Sequence, residues 1–144
     1  MSVGWTDLVR AGALAAVVTA VANTVIGMMG AAVLDVPDGF EPLAFPAPAM
    51  SSALAAVGAT VVLGGLLAWS RRPWPTFRVV AGVVFVLSYL PLIQLGMQDP
   101  PEYPGTDGAS LSLLGSMHVV ALVLDMAIFT RLRSGPARSP ALSQ

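Results

Sequence analysis

Four long apolar runs, parted by short segments rich in proline and charge, dominate the chain. Residues 11–34, 49–69, 79–97 and 109–130 hold no charged residue except Asp125. At about 1.5 Å per residue, each run matches as a helix the roughly 30 Å hydrocarbon core of a bilayer. The pattern predicts an all-α integral membrane four-helix bundle, with residues 1–144 forming one transmembrane domain. The first run is longer than the roughly 7–15 apolar residues of a signal peptide, which predicts a retained helix. Pro91 removes a backbone donor inside the third run and predicts a kink near Ser88.

The segments between the runs are predicted loops. Asp35 to Pro48 breaks helix with four prolines, Ser70 to Arg78 reads as a tight connector, and Gln98 to Gly108 is a second proline-rich loop. Residues 131–144, rich in Ser, Pro and Arg, read as a disordered cytoplasmic tail. Phe40, Leu43 and Phe45 suit either the membrane interface or the end of the bundle, while Trp5 and Trp69 suit the headgroup level.

Helical spacing then assigns faces. Gly12, Ala16, Ala20, Asn23, Gly27 and Ala31 form a narrow small-residue stripe on the first helix, suited to close approach by another helix. On the last helix, Ser112, Gly115, His118, Leu122 and Asp125 form a stripe predicted to face protein. Val119, Val120, Val123, Leu124 and Phe129 lie off that stripe and are predicted to face lipid.

Charge adds orientation. All seven basic residues are arginines, at positions 10, 71, 72, 78, 131, 133 and 138, and a four-span topology puts them all on one side. Asp35, Asp38, Glu41, Asp99, Glu102 and Asp107 fall on the other. The positive-inside rule therefore predicts cytoplasmic N and C termini and a multi-pass protein of the cell inner membrane. There is no basic patch suited to nucleic acid. The absence of cysteine excludes disulfides, thiolate metal sites and thiol nucleophiles from this chain.

Candidate chemistry lies in the middle of the runs. Counted from the midpoint of each run, Asn23, Thr60, Ser88 and His118 fall at one depth and form a candidate polar layer. Such residues commonly make interhelical hydrogen bonds worth about 0.6 kcal/mol each. The sharper reading is a site for a proton or small polar ligand, with His118 titrating and Tyr89 or Gln94 nearby. Asp125 is a candidate intramembrane acid, because a carboxyl at the bilayer centre costs about 2.5–3.5 kcal/mol on insertion scales. Arg10, Arg78 or Arg131 would be its partner in a structural pair; coupling to His118 would make a half-channel. One imidazole per chain cannot supply bis-histidine haem ligation, Ser112 and His118 lack an orienting third group, and the acidic loops lack cation-loop spacing. No catalytic residue, metal site or cofactor is predicted.

Several local motifs carry a resemblance: VANTVIG in the first helix, RRPWPTFR between the second and third, SYLPL in the third, and MHVVALVLDMAIFTRL in the fourth. Together they resemble a family of small four-helix prokaryotic membrane proteins known as domain of unknown function 6069. The resemblance implies the four-helix architecture and a prokaryotic inner membrane, and brings no activity or cofactor. The expected role is a non-enzymatic structural or interaction subunit, with the lipid bilayer and either a second copy or another membrane protein as partners. The alternative is a small transporter or proton-coupled carrier built on the layer around His118, with a membrane enzyme third.

Overall fold

The computed structural model describes residues 3–36, 40–98 and 106–133. Asp38, Asp99, Glu102 and the tail from residue 134 onward, Arg138 included, lie outside the described residues. The described chain forms α1 (Trp5–Val33), a 3₁₀ turn at Glu41–Leu43, α2 (Ala47–Trp69), α3 (Pro73–Ser88), α4 (Leu90–Gln98) and α5 (Gly108–Arg133). α3 and α4 together make the third span, so four helical segments are long and apolar enough to cross a membrane. The fold is an all-α four-helix membrane bundle.

The helix ends follow local chemistry. α1 starts at Trp5, six residues before the apolar run, because nothing from Trp5 to Arg10 opposes helix and Asp7 complements its first turn. It ends where Asp35 takes a left-handed φ of 55°, which a short polar side chain tolerates. The Val36 N–H then bonds back to the Ala31 carbonyl at 3.0 Å, closing a Schellman-type cap. α3 begins at Pro73 rather than residue 79, since prolines in a first turn give up donors that would have no helical partner. The connector shrinks to Ser70–Arg72.

The break anticipated from Pro91 falls at Tyr89. Pro91 offers no N–H to the Leu87 carbonyl, the Tyr89 N–H takes the Val86 carbonyl at 3.2 Å, and α4 restarts with Ile93 N–H to Tyr89 O at 2.9 Å. α5 is capped by Asp107, whose Oδ1 accepts from the Ser110 N–H at 2.7 Å. It runs on through Arg131 and Arg133, basic groups suited to the negative end of the helix dipole. Those residues, read from sequence as the start of the tail, are therefore helical.

α1 packs against α2 on one side and α5 on the other, and the third span touches α2 and α5 from the far side. Two apolar clusters fill the bundle. The first joins Leu8, Ala15, Leu63, Phe77 and Phe129, with the Phe77 and Phe129 rings edge to face at 5.7 Å. The second joins Phe40, Leu43, Leu113, Leu114 and Met117. Phe40 and Leu43 thus close the end of the bundle, whereas Phe45 stays exposed.

Two face assignments change. Phe129, expected against lipid, is fully buried, and Ser112, expected against protein, is exposed. α5 is rotated so that Ser110, Leu114, Met117, Asp125 and Phe129 point inward. Gly30 fixes that rotation: a Cβ there would overlap the Leu113 side chain, so α1 and α5 meet at this contact.

Charge is segregated along the bundle axis. Arg10, Arg71, Arg72, Arg78, Arg131 and Arg133 belong to the end with the first cluster; Asp35, Glu41 and Asp107 belong to the other.

Candidate functional site: a polar seam between two apolar clusters

Four buried polar side chains, Thr19, Asn23, Ser52 and Asp125, lie between the two clusters, while a fifth, Ser110, lies in the first turn of α5 with its Oγ unpartnered among the described residues. Thr19, on α1, is fully buried and donates from Oγ1 to Asp125 Oδ1 on α5 at 2.8 Å. One helical turn further, Asn23 Nδ2 donates to Ser52 Oγ on α2 at 2.9 Å and to the Met117 carbonyl on α5 at 3.2 Å. Asn23 therefore bridges three helices. Its Oδ1 is buried and has no hydrogen-bond partner among the described residues.

Asp125 is buried, and no arginine pairs with it among the described residues. The expected structural pair with Arg10, Arg78 or Arg131 does not form there; Thr19 takes that place. Arginine side chains gain more by remaining at the hydrated end than by reaching into the bundle, where two charges must shed water.

The four residues of the candidate layer are not brought together. Ser52, not Thr60, lies opposite Asn23, and Thr60 is eight residues further along α2, about 12 Å in depth. Thr60 faces Gly12 and donates to its own helix at the Ala56 carbonyl, 2.7 Å away. The start of α1 at Trp5, ahead of the apolar run, moves its midpoint to Thr19 and leaves Asn23 four residues nearer the acidic end. Ser88 donates to the Phe85 carbonyl of its own helix at 2.6 Å. His118 Nδ1 lies 2.8 Å from the Leu114 carbonyl. A carbonyl only accepts, so Nδ1–H is the donor in this contact.

Tyr89, set at the helix break, ties the third span to α5. Its hydroxyl donates to the Gly115 carbonyl at 2.8 Å, and its ring lies 5.7 Å from the His118 ring and 5.2 Å from that of Phe85. A Cβ at Gly115 would sit 3.4 Å from Tyr89 Cε1, at the near edge of ordinary contact. Gln94, the other neighbour considered for His118, is exposed. An open groove beside this tie is lined by Tyr89, Leu92, Gly96, Leu111 and Ser116; neither His118 nor Asp125 lines it.

Thr19 and Ser52 were not singled out from the sequence. A signal for Thr19 existed: the midpoint count that sets Asn23 level with residues 119–120 sets Thr19 level with residues 123–124, beside Asp125. Ser52 had none, because the apolar run alone does not show that α1 extends back to Trp5. Among the described residues no group of three or more His, Asp or Glu side chains could hold a metal ion.

No curated protein and no solved structure matches the chain. The model of a family of unknown function, DUF6069, matches residues 4–134, nearly the whole bundle, and the protein belongs to that family.

Proposed function

We propose that the protein is a non-enzymatic structural or interaction subunit in the membrane, working beside another membrane protein or a second copy of itself. One observation carries this reading: four of the five buried polar side chains among the described residues, all but Ser110, join one helix to another. Asp125 is taken by Thr19, Asn23 by Ser52 and Met117, and Tyr89 by Gly115. His118 binds its own helix. A catalytic site needs an acid, base or nucleophile facing a space for substrate, and the seam offers no such pairing. In this reading the protein sits in a prokaryotic inner membrane with both termini cytoplasmic, following the arginine segregation.

A proton-coupled carrier is the second reading. It is favoured by the burial of Asp125 without a basic partner among the described residues. Purified protein in vesicles loaded with a pH-sensitive dye separates the two. A structural subunit gives no flux above protein-free vesicles under a pH gradient. A carrier gives flux that disappears in a folded Asp125→Asn or His118→Asn variant. Orientation is checked separately: cysteines placed at Ser70 and Thr106 should label from opposite sides, Ser70 from the cytoplasm.

A further inference from the structure

The lipid-facing side of α2 carries a second open groove, lined by Val61, Val62, Gly65, Leu66, Trp69 and Ser70. From Val61 to Ser70 it runs nine residues along the helix, about 13–14 Å, close to half of a roughly 30 Å hydrocarbon core. That length matches the acyl region of one leaflet. Gly65 forms part of its floor, and the Trp69 indole leans back over it, 3.6 Å from where a Gly65 Cβ would stand. Trp69 is 89% exposed, so this large apolar ring is left for lipid to cover.

At the mouth of the groove the chemistry changes within one residue. Ser70 is followed by Arg71 and Arg72, both exposed, and neither guanidinium has a hydrogen-bond or ion-pair partner among the described residues. Ser70 Oγ already accepts from the Arg72 N–H at 3.2 Å, a local turn at the start of the connector. Asp7 is the one acid at this end of the bundle among the described residues, against six arginines. A shallow apolar groove about one leaflet long, followed directly in the chain by two exposed arginines, is complementary to an amphiphile with an anionic head. Guanidinium groups suit phosphate because their paired N–H donors match its oxygens.

We propose that this groove is a binding site for an anionic phospholipid of the leaflet at the arginine end. An acyl chain lies along Val61, Gly65 and Trp69, and the phosphate meets Arg71 and Arg72. The indole N–H at the interface is a further donor for the lipid's ester region.

The test uses the full chain in neutral detergent with phosphatidylglycerol or phosphatidylcholine, each brominated on its acyl chains. Trp5→Phe and Trp74→Phe leave Trp69 as the one indole. Quenching of Trp69 by phosphatidylglycerol should saturate at roughly thirtyfold lower lipid than quenching by phosphatidylcholine, as expected for two basic groups at a surface. Arg71→Gln with Arg72→Gln should remove that preference while the helical circular dichroism stays unchanged. Native mass spectrometry of the otherwise unaltered chain, with and without the two arginine changes, reads the same preference without touching the tryptophans. Equal binding of the two lipids overturns the proposal, and so does a preference that survives loss of both arginines. Weak quenching by both lipids that falls further as protein concentration rises would put a second copy of the chain on this face, and also overturns it.

Discussion

Thr19 and Asp125 meet across the α1–α5 seam through a 2.8 Å hydrogen bond, although 106 residues separate them in the chain. The bond lies between two apolar clusters, so it closes the one place where the bundle would otherwise present a bare carboxyl to hydrocarbon. Asn23 does the equivalent one turn away, reaching both neighbouring helices. A helix pair in lipid gains little from hydrophobic attraction, because the tails are as apolar as the side chains. Close packing and such bonds therefore carry the association.

The glycines separate into tight and loose positions. A Cβ on Gly30 would overlap Leu113, while one on Gly27 would make an ordinary contact at 3.6 Å with Met117 Cε and one on Gly58 would meet nothing. Gly30→Ala should cost about 1–3 kcal/mol through overpacking. Gly27→Ala and Gly58→Ala should each be neutral or stabilising by up to about 1 kcal/mol from helix propensity, since neither Cβ meets a close neighbour. Thermal unfolding of the three variants in one detergent checks the order.

Tyr89→Phe keeps the ring beside His118 and Phe85 and deletes the bond to the Gly115 carbonyl. The expected loss is about 0.5–1.5 kcal/mol, confined to the third span because the seam of α1, α2 and α5 does not use this bond. Hydrogen exchange should therefore quicken in α4 and leave the centre of α1 unchanged.

Asp107 gives the acidic end a pH dependence. The Ser110 N–H donating to its carboxylate holds Asp107 below the usual carboxylate range. A carboxyl whose pKa is lower folded than unfolded stabilises the fold above its unfolded value of about 3.9 and loses that contribution as pH falls through the folded value. Asp107→Asn retains a capping side chain without the titration. Its melting temperature should fall less than that of the natural chain between about pH 5 and pH 3.

The helix count, the break at Pro91 and the segregation of arginine from acid were legible because each rests on local composition or on one residue's backbone chemistry. Partner choice was not. Asn23 was recognised as an interhelical group, but its partner Ser52 depends on where α1 starts, and its extension back to Trp5 moves the helix midpoint from beside Asn23 to Thr19. Thr60, Ser88 and His118 lie near the middles of their apolar runs, yet each finds a carbonyl three or four residues back on its own helix. That outlet is open to Ser and Thr in any helix, and hydropathy patterns do not distinguish it from a bond to a neighbour. The burial of Phe129 and exposure of Ser112 follow from a rotation of α5 set by contacts such as Gly30 with Leu113, which periodicity alone does not fix.

The central claim, that the buried acid is a structural tie, is tested most directly by a double-mutant cycle on Thr19 and Asp125. Thr19→Val leaves the carboxyl without its donor, Asp125→Leu leaves the hydroxyl without its acceptor, and the double variant replaces both by apolar groups. Measured by reversible unfolding in detergent, the pair should show a coupling energy of about 0.6–1.7 kcal/mol, with the double variant less destabilised than the sum of the single ones. A coupling indistinguishable from zero, with both single variants as stable as the natural chain, would contradict it.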